Sequence, residues 1–269
     1  MPKQRRDRVQ SLDRALDVLE ALGEAGDLGV SEVAARTGLV ASTAHRMLAG
    51  LADRGYVRQA GSHGRYALGF KVLALADGIQ ARPAALCAVA RPHLEGIREA
   101  TSETTNLVIL DRDHVVYVDQ VPGLHNVRMF TQVGSSALAH TTASGKAILA
   151  LRSAEVISTL YPPEREPLER LTSRTQTTLA SLRDDFVHIR RCGYAIDNEE
   201  HEDGVSCVAA PVLGGDVAFA AISISAPTRR IVDADTGKLG WLLRQHAAEL
   251  SAALGDGAVE RAAPPSSLG

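Results

Sequence analysis

A chain of 269 residues, 45% hydrophobic and 23% charged, holds enough apolar material for about two packed cores and excludes disorder as a description of the whole. No run approaches the roughly 20 apolar residues of a membrane span, and the charged start MPKQRRDRVQ has no apolar segment behind it, so no membrane association and a cytoplasmic location are expected. Cys87, Cys192 and Cys207 are an odd number without Cys-x-x-Cys spacing, which argues against a disulfide framework and structural zinc; no metal and no cofactor are expected.

The net charge of −3 speaks against a nucleic-acid partner only if it is evenly spread. It is not: residues 1–70 carry 10 Lys/Arg against 8 Asp/Glu, the rest 19 against 24. Only the first segment can favour phosphates.

In that segment Leu12, Ala15, Leu16, Leu19 and Leu22 recur on one helical face, with Ser11 placed to cap the start. Val30–Gly38 reads as a short second helix, capped by Ser31 and ended by Gly38. A third helix follows Leu39-Val40. Its apolar face is Ala44, Met47, Leu48 and Leu51, and the opposite face carries Ser42, Thr43, His45 and Arg46, none of them acidic. Gly55–Gln59 and Arg65–Leu68 are β-prone runs joined by a glycine-rich loop, completing a winged helix-turn-helix over residues 1–69. The third helix suits a major groove, while Arg58, Arg65 and the basic tail containing Arg6 suit phosphates. A three-helix protein-interaction module with a solvated polar face has the same pattern.

Residues 70–90 are expected to form a linker-helix region bent at Pro83, with Phe70, Leu73 and Ile79 seeking a surface outside the small module. From Pro92 the pattern alternates. A helix runs to Glu103, strands are expected near Thr105–Leu110, Val115–Gln120 and Asn126–Val133, and a helix opens near Thr142. A helix over Thr178–Cys192 is followed by strands at Gly193–Asn198, Val205–Leu213 and Val217–Ser225 and a closing helix to Leu254. Short turns such as Leu213–Val217 imply an antiparallel sheet, making residues 91–255 an α+β domain; residues 256–269 read as a disordered tail.

Thr142–Lys146 places small residues at a helix start, where free backbone amides let an anion approach; the same residues serve close packing on a sheet, and spacing alone leaves the two readings level. Gly145-Lys146 lacks the flanking residues of a nucleotide-binding loop. Asp197, Cys207, Ser223 and Ser225 fall on neighbouring strands, where alternation puts Val205 with Cys207 and Ser223 with Ser225. Inward polar groups need partners, which a ligand, water or backbone can supply.

Val9–Glu20 and Ser42–Leu48 resemble the N-terminal domain of IclR-type transcriptional regulators. His140–Ala147, Gly193–His201, Gly204–Val212 and Ala220–Pro227 resemble that family's effector-binding domain in the same order. The resemblance covers residues 9–254 and implies a ligand-responsive regulator with a GAF-like sensor sheet. It also implies a pocket lined by Met129, Ala143, Ser144, Asp197, Val205, Cys207, Ser223 and Ser225. The expected partners are double-stranded operator DNA of palindromic sequence, a small carboxylate or related metabolite, and further copies of the chain as a homodimer or dimer of dimers. The rival reading is a hydrolase using Ser144 or Cys207 with His201 as base, although no nucleophile elbow is present. Glu199–Asp203 offers metal-binding side chains without a second histidine at ligand spacing and reads as a solvated loop.

Overall fold

The computed structural model describes residues 9–61, 64–80, 83–129 and 131–255, with the side chains of 77–83 left aside. Arg6 and the tail 256–269 lie outside the described residues, as does the side chain of Ile79. The chain divides into two units at Ala81/Arg82. Among the described residues no helix is long and apolar enough to cross a membrane.

In the first unit α1 (Gln10–Ala25), α2 (Val30–Thr37) and α3 (Ala41–Asp53) pack around Val18, Leu22, Val33, Ala44 and Leu48. The strands β1 (Asp27–Gly29), β2 (Val57–Ala60) and β3 (Arg65–Leu68) pair antiparallel in the order β1-β3-β2. Gly38 takes the left-handed conformation (φ 66°) that ends α2. Both expected serine caps are corrected. α1 starts after Val9, so Ser11 lies inside it. α2 starts after Gly29, whose N–H donates to Glu32 Oε2 at 2.7 Å, and Ser31 is a helical residue. The glutamate at the third helical position bonds back to the N-cap's own amide, whereas a Ser31 cap would have served an amide further along the helix. α4 (Lys71–Gln80) follows, and Phe70, Leu73 and Leu75 are exposed there.

The second unit opens with α5 (Pro83–Thr101); the bend expected at Pro83 borders residues 81–82, outside those described, and Pro92 sits inside the helix rather than starting one. Pro92 is tolerated because it and Ala88, whose carbonyl loses its helical partner, are on the exposed face. One antiparallel sheet runs β6-β5-β4-β9-β8-β7, built from β4 (Thr104–Asp111), β5 (His114–Val121), β6 (Ser136–Leu138), β7 (Ala195–Asn198), β8 (Val205–Gly214) and β9 (Val217–Pro227). On one face α5 and α10 (Thr236–Leu254) pack through Leu86, Leu94, Ile97, Leu243 and Leu250 against Leu107, Val208 and Ile222. On the other, α6 (Ala143–Leu149), α7 (Ala154–Leu160) and α8 (Leu179–Cys192) pack against Val108, Ala209 and Ala221. A short α9 (Thr228–Asp233) joins β9 to α10.

The expected strand over Asn126–Val133 is absent among the described residues. The free edge of β5 is taken by Ser136–Leu138 instead, and the preceding segment is a loop pinned by side chains. Arg230 grips Glu103 with Nε and Nη2 at 2.6 and 2.8 Å and donates from Nη1 to the Val127 carbonyl at 3.0 Å. Thr104 Oγ1 donates to the Met129 carbonyl at 2.7 Å. The alternating apolar residues of this loop therefore serve a pocket wall or solvent, not a ladder.

Candidate effector site and DNA-facing helix

Strand register assembles the site. β7 pairs Asp197 with Cys207 of β8, and β8 pairs Cys207 with Ser225 of β9, so an acid, a thiol and a hydroxyl stand in one row across three strands. Ser223 lies two residues along β9, on the same face. The row faces a cavity of about 170 Å³. Met129, Ala143, Ser144 and Val205 line it together with Asp197, Cys207, Ser223 and Ser225, so the eight residues singled out in the sequence meet in one place. Tyr117, Thr131, Ser135, His201 and Glu202 also line it and were not assigned to it. Alternation along β5 could have placed Tyr117; the loop residues had no such signal.

Each polar wall has a defined state. Burial drives the Asp197 carboxyl up to about 7, against the opposing pull of the Glu200 backbone N–H, which donates to Asp197 Oδ1 at 2.7 Å. Cys207 Sγ donates to Ser225 Oγ at 3.2 Å, and burial pushes its thiol well above the ordinary range. Ser225 Oγ also accepts from Asn106 Nδ2 at 3.1 Å, and Asn106 Oδ1 accepts from Gln120 Nε2 at 3.1 Å. This chain of amides, on the same face of the sheet as the row, fixes the seryl oxygen from the β4 side.

The helix start is held by packing and capping together. Thr142 Oγ1 accepts from the Gly145 amide at 3.0 Å, and the Thr142 carbonyl accepts from Lys146 N–H at 3.0 Å. Of the first amides of α6, those of Ala143 and Ser144 are the ones left for a ligand. Gly145 answers to packing: a Cβ there would come within 2.1 Å of the Ala139 carbonyl oxygen. Lys146 turns into a buried ion pair, Nζ reaching Glu200 Oε1 at 2.5 Å and Asp185 Oδ2 at 2.9 Å.

The hydrolase reading finds no support: burial pushes the Cys207 thiol up, away from the thiolate, and His201 Nδ1 is 2.9 Å from Thr141 Oγ1. Within Glu199–Asp203, expected as a solvated loop, Glu200 is instead buried and pairs with Lys146.

In the first unit α3 buries Ala44 and Leu48 and leaves Ser42, His45 and Arg46 exposed, with Thr43 partly so. Its start after Val40 has no side-chain cap and no acid in the first turn. Arg58 is exposed on β2, its guanidinium 5.6 Å from the Phe70 ring centre. Arg65 departs from expectation. Its Nε meets Asp27 Oδ2 at 3.0 Å and its Nη1 Glu32 Oε2 at 2.9 Å, so two carboxylates already neutralise it and it ties the wing to α2.

A winged helix-turn-helix followed by a domain enclosing a polar, small-molecule-sized cavity is the build of a ligand-responsive transcriptional regulator. Residues 81–252 match the family model described as bacterial transcriptional regulator IclR C-terminal, and residues 11–61 match the IclR helix-turn-helix domain. The chain belongs to the IclR family. It is 36% identical over 253 residues to the transcriptional repressor IclR of Escherichia coli K12, covering 92% of this chain and 91% of that one. The solved IclR of Thermotoga maritima superposes with a TM-score of 0.74 at 29% identity, covering 92% and 99%. An IclR homologue of Microbacterium hydrocarbonoxydans, solved with 4-hydroxybenzoate, superposes at 0.69 with 26% identity, covering 91% and 98%.

Proposed function

We propose that this chain binds a palindromic operator in the cytoplasm as a homodimer or dimer of dimers and changes its DNA affinity when a small organic acid enters the cavity. The observation carrying the effector reading is the Asp197–Cys207–Ser225 row facing the start of α6 across a space of about 170 Å³, close to that of a single-ring molecule. The ligand carboxylate meets the amides of Ala143 and Ser144 and the hydroxyls of Ser223 and Ser225, with Met129 and Val205 as apolar walls. Asp197 takes the far end, where a hydroxyl can donate to it or accept from it. The 4-hydroxybenzoate of the Microbacterium relative, acidic at one end and hydroxylated at the other, has that polarity.

For DNA, the uncapped start of α3 offers amides to a phosphate while Ser42, Thr43, His45 and Arg46 reach base edges; Arg58 and Arg6 add backbone contacts. A single module of this size makes few base contacts, and pairing through the apolar residues Phe70, Leu73 and Leu75 doubles them on a two-fold site. Fluorescence anisotropy with DNA from the chain's own upstream region tests this. Arg46→Ala is expected to weaken binding by at least about fivefold while the effector unit keeps its melting temperature. Unchanged affinity removes α3 from the DNA interface.

A further inference from the structure

On the face of the sheet away from the cavity, α5 and α10 lie side by side, and at one level of their seam two imidazoles meet. The Nδ1 atoms of His93 and His246 are 3.2 Å apart, with the ring planes at 81°. Glu249, on the turn of α10 after His246, brings Oε2 to 3.8 Å from His93 Nδ1, and all three ligand atoms lie within 4.8 Å of one another. Gly96 makes the approach feasible: a Cβ there would stand 3.3 Å from His246 Cε1.

Tetrahedral zinc with nitrogens at 2.0–2.1 Å sets neighbouring nitrogens about 3.3 Å apart, close to the spacing seen here. A plain imidazole–imidazole hydrogen bond has the same distance, and Glu249 brings a carboxylate to the same Nδ1 as a third candidate ligand. Side-chain exposures of 18% for His93 and 69% for Glu249 leave the carboxylate free to close the remaining gap and keep an entry path from solvent. Two imidazoles and one carboxylate suit a borderline transition metal rather than magnesium or calcium, which prefer all-oxygen shells.

We propose that His93, His246 and Glu249 bind a divalent transition-metal cation of the zinc type, completed by solvent, that clasps α5 to α10. The no-metal expectation rested on cysteine spacing and on Glu199–Asp203; the two histidines here lie 153 residues apart in sequence. The test is thermal unfolding of the chelator-stripped full chain with Zn²⁺ or Mg²⁺, for the parent and for His93→Gln, His246→Gln and Glu249→Gln, together with visible absorption on Co²⁺ titration. Expected are a melting rise of about 5 °C with Zn²⁺ and none with Mg²⁺ in the parent. The rise is lost in both histidine variants and reduced in Glu249→Gln, and the Co²⁺ band weakens in parallel. Glu249 is exposed, so its variant folds in any event. A parent that gains nothing from Zn²⁺, or any variant that gains as much as the parent, overturns the site.

Discussion

Lys146→Met is expected to lower the stability of the effector domain by about 3–5 kcal/mol, read by urea unfolding at pH 7.5. The lysine is nearly inaccessible, and its Nζ neutralises Glu200, itself buried, and Asp185, which is a third exposed. Methionine fills the volume but leaves the Glu200 carboxylate inside without a counter-charge. Glu200 has no reserve to meet that loss, because its Oε2 already lacks a partner among the described residues. Solvent screens Asp185, so most of the penalty falls on Glu200. Burial already holds the Glu200 pKa above its ordinary value; without Lys146 it rises further, and the deficit shrinks as pH falls and the carboxyl takes up its proton. Glu200→Gln in the same background recovers part of the loss. The double variant separates the charge effect from packing: if it is as unstable as the single one, the ion pair is not the cause.

Asp197→Asn is expected to raise stability at pH 8 by a few kcal/mol and to change it little at pH 4. The folded carboxyl titrates at about 7 against an ordinary value of 3.8, with burial the main cause. Between those values the unfolded chain has released its proton while the folded chain keeps it, so the parent loses stability as pH rises from about 4 through about 7. Asparagine has no such loss, and its Oδ1 can still accept from the Glu200 amide. The same titration governs the effector. A carboxylate ligand entering above pH 7 meets an ionised Asp197, so its affinity should fall by up to about tenfold from pH 6 to pH 8 in the parent and stay level in the variant. A parent with pH-independent stability and ligand affinity contradicts the assigned state of Asp197.

The winged module and the order of the later strands were legible because their apolar periods are local: Ala44 and Leu48 mark the buried side of α3 as directly as alternation marks β8. Of the eight cavity-lining residues, Met129 came from the family resemblance alone and the others lie in its motifs; register explains why the five on strands converge. The Asn126–Val133 loop was not legible, since its apolar alternation is that of a strand and it is held by distant groups, Thr104 at Met129 and Arg230, 103 residues beyond Val127. Arg65 misled for the same reason. A cation on a wing points to phosphate until Asp27, 38 residues away, is found beside it. The helix starts failed at a finer level, where α2 begins after Gly29, with Glu32 bonding back to its amide, and not after Ser31.

The most direct measurement is operator affinity by anisotropy, with and without a small hydroxy acid drawn from a panel, for the parent and for Cys207→Leu. Cys207 faces the cavity from the middle of the polar row, and leucine adds bulk there without a new charge. Circular dichroism and melting establish that the variant is folded. The account predicts that the acid changes the parent's DNA affinity by at least about fivefold and leaves the variant's unchanged, while both bind equally well without ligand. An equal response from parent and folded variant, or none from either across a panel of hydroxy acids of this size, contradicts it and places the effector elsewhere.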